Sequence, residues 1–543
     1  MKIKYIDSPL LKKMIFFAAQ NLEENKEFVN NLNVFPVPDG DTGTNMALTI
    51  QFAAKEISQA NVNDLSTIMD IAANGSLMGA RGNSGVILSQ LFRGFTKGCK
   101  NKEVLQLKDL SEALQSGTNM AYKAVMKPTE GTILTVAREI SNFAVQNVGK
   151  FHSLETYIEK IIEHGNNILS QTPNMLPVLK EAGVVDAGGK GLMYILEGAY
   201  RALFEENLDL KEEKNFVSLS QPTKKKVETI STSDIKFGYC TEFMIITQKA
   251  SINSIRSYLS KIGDSLLVVG DDNRVKVHVH TNHPGKAIEY ALQIGELTNI
   301  KIDNMREQHR SQFDFKEEKD VSVRERDYGF ITVATGEGIT EIFKDLGVDS
   351  IIQGGQTMNP STEDFLREIN RIHAKHIYIL PNNSNILMAA NQAKGISNKS
   401  IDILTTKTIP QGISALLAFN PENNIEENYK NMEEAIEKVK TGQVTFAVRD
   451  TEINNLKINK DDIIGLYEGK IVTAGEDMNE VALQLIEKML EEEDGLITIF
   501  TGRDVSDKQK ESMQNKVENI FPQVDIEVHQ GGQPLYYYII SVE

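Results

Sequence analysis

The sequence predicts a multidomain protein: an all-α domain, then an α+β middle domain of βαββαβ-like order, then an α/β domain with a largely parallel sheet. Three observations predict this. Apolar residues recur at helical spacing over residues 1–206, where strand signals are scarce. Over 234–312, short strands and helices follow one another in the order β-α-β-β-α-β. Over 328–543, apolar runs lead through small polar loops into helical stretches. A length of 543 residues accommodates two to four domains.

In the first domain, "DSPLLKK" reads as a helix start with Ser8 as N-cap and Pro9 at the first helical position. "SLETYIEKIIEHGNNIL" puts Leu154, Ile158, Ile161 and Ile162 on one helical face. Residues 207–233 are polar without a sustained period and read as a linker. In the middle domain "FMIITQ", "SLLVVG", "RVKVHVHT" and "TNIKID" read as strands, with "INSIRSYLSKIG" and "GKAIEYALQIG" as helices. A charged second linker occupies 313–327. In the last domain "YGFITVA", "SIIQ", "HIYILP" and "GLITIFTG" each lead into a helix, so a ligand or partner crevice is expected at those strand ends. "TGEGIT" supplies only GxG, which does not support a dinucleotide fingerprint.

Composition narrows the function. The net charge is −17, from 75 acidic and 58 basic residues, which argues against nucleic acid as a partner. Two cysteines, Cys99 and Cys240, imply no disulfide framework and point to a reducing compartment. No apolar run approaches the roughly 20 residues of a membrane helix. The expectation is a cytoplasmic protein.

The chemistry concentrates in "VFPVPDGDTGTNM", residues 34–46. Read as a calcium loop from Asp39, it puts Thr44 where glycine is needed and Ile50 where glutamate is needed, so that reading fails. Asp39 and Asp41 flank a glycine and can converge on a hard cation such as Mg2+. Thr42, Gly43, Thr44 and Asn45 then open a helix, whose unpaired N–H groups and hydroxyls make an anion site. In "GARGNSGVILSQ", Gly82, Asn83, Ser84 and Gly85 repeat the arrangement, with helix capping as the plainer reading. "PTEGTILTV" and "GVVDAGGKGL" are two further turns before helices, and the latter is not a P-loop in either frame. Four such turns in one domain suggest helix ends gathered around a single ligand. Arg81 and Lys190 are cationic candidates by position alone, against a plain reading as solvated surface charges.

Together these four segments resemble the nucleotide domain of the dihydroxyacetone kinase family over roughly residues 1–206. The resemblance implies a barrel of antiparallel helices with Mg-ATP at one end. It makes Asp39 and Asp41 the Mg2+ ligands and puts Asn33 where that family has a third aspartate. Thr42, Thr44, Asn45 and Ser84 fall where the family contacts phosphates, and Thr132 and Asp186 fall on turns lining the nucleotide. The wider arrangement, with "YCTE", "VKVHVHT", "NMREQHR", "GGQTMNPST" and "LPNNSNILMA", resembles the catalytic subunit of bacterial fatty acid kinase over essentially the whole chain. That implies transfer of phosphate from ATP to a fatty acid delivered by a separate fatty-acid-binding protein, giving acyl phosphate for phospholipid synthesis. A dihydroxyacetone-type kinase is the first rival, though nothing here resembles its substrate domain. A non-catalytic nucleotide-binding regulator is the second, and the intact Asp39–Gly40–Asp41 weighs against it. The C-terminal domain resembles the fold of the fatty-acid-binding partner, which suggests docking.

In the middle domain His278 and His280 stand two apart on one strand face. With Cys240 they suit Zn2+, and Glu242, His283 and His309 are further ligand candidates. The surface reading of HxH stands beside this. A split βαβ sheet with its first and third strands parallel also separates Cys240 from the histidines. The fatty acid kinase resemblance implies a Cys–His–His metal site here, and a homodimer formed through this domain.

Overall fold

The computed structural model describes residues 3–33, 40–60, 62–125, 127–205, 239–247, 252–270, 274–304, 326–355, 358–453 and 456–543. Asp39, His309, the whole of 207–233 and most of 313–327 lie outside the described residues, as do the side chains of Cys240, Glu242, His278 and His280. The chain divides into two compact units, one of residues 1–219 with 325–543 and one of residues 220–324.

The larger unit begins with helices α1 (Ser8–Asn30), α2 (Thr42–Gln59), α3 (Leu65–Met78), α4 (Gly82–Gly98), α5 (Leu107–Ala124), α6 (Ile133–Asn147), α7 (Leu154–Met175), α8 (Pro177–Ala182) and α9 (Ala187–Arg201). From α1 to α7 each packs on the next, and α9 returns against α1. The cap of α1 is Asp7 rather than Ser8. Its carboxylate, a stronger acceptor than a hydroxyl, takes the N–H of Leu10 at 3.0 Å, and Pro9 falls one place later in the first turn. The expected face of α7 buries Leu154, Ile158 and Ile161 and half-buries Ile162. Among these helices lies an apolar cavity of about 180 Å³, bordered by Leu11, Met14, Leu88, Phe92, Leu110 and Ile158. The sequence carries no obvious mark of this cavity, because its lining is ordinary core-facing periodicity.

The smaller unit runs β1 (Tyr239–Ile246), α10 (Ile252–Leu259), β2 (Gly263–Gly270), β3 (Arg274–Thr281), α11 (Pro284–Leu292) and β4 (Glu296–Asn304). Its sheet has the order β2-β3-β1-β4. Val275, Val277 and Val279 alternate into a core with Ile255, Leu259 and Ala287, while Tyr258 and Tyr290 stack their rings at 3.8 Å. The expected parallel pairing of the first and third strands is corrected. The connection through α10 leaves a gap beside β1, and β3 turns back from β2 to fill it antiparallel to β1. The register sets Cys240 directly across from His280, and Glu242 across from His278.

The larger unit resumes with β5 (Arg326–Ala334), α12 (Glu337–Asp345), β6 (Ser350–Gln353), α13 (Thr362–Arg371), β7 (Ala374–Leu380), α14 (Leu387–Ile396), β8 (Ser400–Ile403), α15 (Ile409–Leu417) and α16 (Ile425–Lys438). These strands form a parallel sheet of order β6-β5-β7-β8. Beyond it lie β9 (Lys440–Phe446), a small hairpin of β10 (Thr451–Ile453) and β11 (Leu456–Ile458), β12 (Ile463–Tyr467), β13 (Lys470–Gly475), α17 (Met478–Met489), β14 (Leu496–Thr501), α18 (Asp507–Ile520), β15 (Asp525–Gln530) and β16 (Tyr538–Val542). The second large sheet, β13-β12-β9-β16-β14-β15, is antiparallel except between β14 and β15. The parallel reading therefore holds for the first half of this region and is corrected for the second. One cause is the β12–β13 hairpin, whose two turn residues, Glu468 and Gly469, both have positive φ.

Ala80 and Val86 of the helical region belong to the same core as Phe365, Ile386 and Ala389. The helices and the parallel sheet thus share buried apolar surface.

Candidate active site

The starts of α2, α4, α6 and α9 meet at one cavity of about 310 Å³. Asn33, Thr42, Asn83, Ser84, Thr132 and Asp186 all line it. Helix starts present unpaired N–H groups and the positive end of the helix dipole, so the shape and the charge preference coincide. Local chemistry builds each corner. Arg81 is extended and Gly82 takes φ +56° to begin α4; a Cβ there would lie 2.6 Å from Asn45 Nδ2. Thr132 is the N-cap of α6, and Asp186 caps α9 by accepting the N–H of Gly189 at 2.6 Å. Burial pushes the Asp186 carboxyl up from 3.8 to about 6, against the N–H groups of Gly189 and Ile133, which favour its ionised form.

Among the described candidates of the first motif, Asp41, Thr44 and Asn45 are not part of this lining, whereas Thr42 and Asn33 are. The Thr42 hydroxyl donates to Asn33 Oδ1 at 2.9 Å. Thr44 is tied to α1: its N–H donates to Asn30 Oδ1 at 3.1 Å, and Asn30 Nδ2 donates to its hydroxyl at 3.0 Å. Gly43 permits that approach, since a Cβ there would stand 2.2 Å from the Lys26 carbonyl. Asn45 is buried, and its carbonyl accepts from the Thr49 hydroxyl at 2.7 Å. Asp41 is also buried, and Asn359 Nδ2 donates to its Oδ2 at 2.5 Å.

The two cationic candidates face elsewhere. Arg81 Nη1 donates to the Asn359 carbonyl at 3.1 Å and stands 3.8 Å from Asp364. Burial raises the Asp364 carboxyl, but the Ser361 N–H and hydroxyl with Arg81 and Arg367 outweigh it and hold that group below its ordinary value. Lys190 lies over the Tyr194 ring, 4.2 Å from its centre. Among the described residues, the lysine that lines the cavity is Lys127. Sequence reasoning misses it; the available signal is its place just before "PTEGTILTV". Met388, from α14, also reaches the cavity, and Asn385 Oδ1 accepts from Asn83 Nδ2 at 3.1 Å.

Asn33 and Thr42 bring amide and hydroxyl oxygens to the cavity, and Asp41, next in sequence to Thr42, carries a carboxylate; oxygen donors of this kind suit Mg2+ better than a soft metal. Asp39, the other carboxylate of the motif, lies outside the described residues. Among the described residues, no cluster of three His, Cys, Asp or Glu stands ready to hold a metal. None of the described helices is long and apolar enough to cross a membrane.

A second cavity, of about 510 Å³, opens at the ends of β5, β6 and β7, where the sequence predicts a crevice. Both copies of the string "QGGQ" border it, through Gln353, Gly354 and Gly355 and through Gln533. The glycines of "TGEGIT" serve this packing, because a Cβ on Gly338 would collide with the Gln530 carbonyl.

Comparison with known proteins matches three family models to the chain. They are a DAK2 domain over residues 36–201, a FakA-like (fatty acid kinase) middle domain over 236–312, and a FakA-like C-terminal region over 329–543. Protein YloV of Bacillus subtilis (strain 168) is 44% identical over 554 residues, with 100% of both chains covered. An uncharacterized protein of Staphylococcus aureus (strain USA300) is 44% identical over 550 residues, again with 100% of both covered. Among solved structures, a DegV family protein from Corynebacterium glutamicum aligns with 40% of this chain and 96% of its own, at TM-score 0.31 and 13% identity. The Streptococcus pneumoniae Fatty Acid Kinase (Fak) B3 protein loaded with linoleic acid aligns with 40% of this chain and 99% of its own, at TM-score 0.28 and 14% identity. Likenesses that distant carry no argument.

Proposed function

Because the chain belongs to the FakA-like family of fatty acid kinase proteins, we propose that it transfers the γ-phosphoryl group of ATP to a fatty acid carboxylate held by a separate fatty-acid-binding protein. The observation that carries this reading is the meeting of four helix starts and six polar candidates around one cavity. A fatty acid carboxyl, with a pKa of about 4–5, is already ionised at neutral pH, so attack needs no general base. A carboxylate oxygen forms the new O–P bond, the bond to the ADP oxygen breaks, and ADP leaves with the electron pair. Positioning and charge neutralisation then supply the catalysis.

In this reading Asp39, Asp41 and Asn33 hold Mg2+, which when bound neutralises phosphate charge. Thr42, Thr44, Asn45, Asn83 and Ser84 serve the phosphate end. Thr132 and Asp186 shape the nucleotide turns, and Lys127 offers a cation at the lining. Arg81 acts indirectly, through its hold on the Asn359 carbonyl. In the smaller unit the reading includes Zn2+ at Cys240, His278 and His280, supported by the pairing of Cys240 with His280, and self-association through that unit. Equal zinc content in wild type and Cys240→Ala would remove the cysteine from that set.

The test is transfer from labelled ATP with Mg2+ to three acceptors: oleate loaded on a fatty-acid-binding protein, free oleate and dihydroxyacetone. Labelling of the loaded oleate is expected. Labelling of dihydroxyacetone instead overturns the proposal, and nucleotide binding without any transfer favours a regulator.

A further inference from the structure

We infer that Asn359 is the positioning residue for Asp41, so that the C-terminal region completes the metal-nucleotide site that the helices begin. The inference rests on the kinase reading and deepens it. Asp41 occupies the N-cap position of α2, yet its side chain makes no capping bond to that helix. An N-cap aspartate ordinarily turns its carboxylate back onto the first N–H groups of its own helix. Here Oδ2 takes the amide of Asn359 instead, across 318 positions of sequence.

Asn359 is itself held firmly. It is 1% exposed. Its carbonyl accepts from Arg81 Nη1, Ser361 makes an antiparallel bridge with Arg81, and the Thr362 N–H donates to the Ala80 carbonyl at 3.1 Å. Ser361 and Asp364 close a capping box at the start of α13, and Arg81 stands against that same Asp364. Two short segments, Ala80–Arg81 and Ser361–Asp364, therefore bracket the residue between them.

The chemistry of the choice points the same way. Asn359 Oδ1 is buried without a hydrogen-bond partner. Such an atom is costly in a folded protein, and it accompanies an amide whose NH2 end is committed to the carboxylate. A neutral donor orients the carboxylate without cancelling its charge. A lysine or arginine in that place would pair with Asp41 and compete with any cation. Asn359 thus orients the carboxylate without itself neutralising it.

The test uses the full chain with Mn2+ and a non-hydrolysable ATP analogue. Metal binding is read by electron paramagnetic resonance, nucleotide binding without metal by calorimetry, and folding by thermal unfolding. Asn359→Leu keeps the bulk and removes the donor, and Asn359→Ala removes both. Loss of a hydrogen bond to a charged group is expected to weaken Mn2+ binding ~10-fold or more. Metal-free nucleotide affinity stays unchanged, and high Mg2+ restores turnover. Gln392→Ala, which removes bonds from α14 to the Ser89 and Thr362 hydroxyls but leaves the Asn359 amide and its carbonyl contact with Arg81 in place, is expected to leave Mn2+ affinity unchanged. Unchanged Mn2+ affinity in both folded Asn359 variants overturns the inference alone, as does an equal loss in Gln392→Ala. A wild-type chain that binds no Mn2+ with nucleotide overturns the metal reading as well.

Discussion

The larger unit carries two polar cavities that differ in charge as well as in size. The one at the helix starts, about 310 Å³, has the Asp186 carboxylate, Lys127 and several hydroxyls in its lining, with Asp41 next in sequence to its Thr42. The one at the strand ends, about 510 Å³, is the larger, yet its described lining contains no carboxylate. Its polar groups are chiefly the amides of Gln353, Asn382, Asn383, Gln443 and Gln533, with Arg503 the charged one. Helix starts border both, since Ile386 and Thr408 cap α14 and α15 at the second cavity, so what sets the first apart is the carboxylate in its lining. Gly354, Gly355 and Met358 line the second cavity, while the neighbouring Asn359 reaches Asp41, next in sequence to Thr42 of the first.

The largest effect should come from removing charge at the first cavity without disturbing its shape. Asp41→Asn keeps an oxygen that can accept from Asn359, so the bracket survives. Phosphoryl transfer is expected to fall on the order of 10²–10³-fold, the scale of losing one preorganised electrostatic group, with little change in melting temperature. Steady-state transfer at saturating ATP measures it. Near-normal turnover would show that shape rather than charge defines this cavity, and the contrast with its neighbour would dissolve.

The features legible in the sequence are local ones. The starts of α2, α4, α6 and α9 announce themselves because a helix start that approaches a ligand needs glycine, hydroxyl or Asx residues in a row, as in "DGDTGTN" and "GNSG". What escapes is tertiary. Nothing around Asn359 marks it as a partner for Asp41, and Ala80 and Val86 look like ordinary helical-domain residues although they pack under the parallel sheet. Lys127 is one lysine in a polar stretch. The second sheet reads as parallel because apolar runs such as "ITIF" look alike in either direction. One usable signal does point the other way: "LYEGKIV" has two apolar runs separated by a Glu–Gly pair, a hairpin in miniature.

A smaller effect sharpens the picture of the first cavity. The Asp186 carboxyl rises from 3.8 to about 6 on folding, so the fold favours its protonated form. Stability is therefore lost as pH climbs from about 4 to about 6, and above that the ionised group costs up to ~3 kcal/mol. Asn caps a helix as well as Asp does. Asp186→Asn is expected to unfold at a higher temperature than wild type above pH 6, with the difference vanishing near pH 4. Thermal melts at pH 4 and pH 8 decide it; identical differences at both would show that the carboxylate is well solvated.

The smallest effect belongs to the second cavity. Gln533 is buried, its Nε2 donates to the Phe500 carbonyl at 2.8 Å, and its Oε1 has no hydrogen-bond partner. Gln533→Leu removes one favourable bond and one unmet acceptor together. These terms oppose each other, so the net change in stability should stay within about 1 kcal/mol. Phosphoryl transfer should be unchanged, because no charge is altered and Asn359 keeps its place. Denaturant unfolding and the transfer assay with loaded oleate measure the two quantities. If turnover fell as far as in Asp41→Asn, the amide-lined cavity would be energetically part of the charged one, joined through the segment that carries Met358 and Asn359.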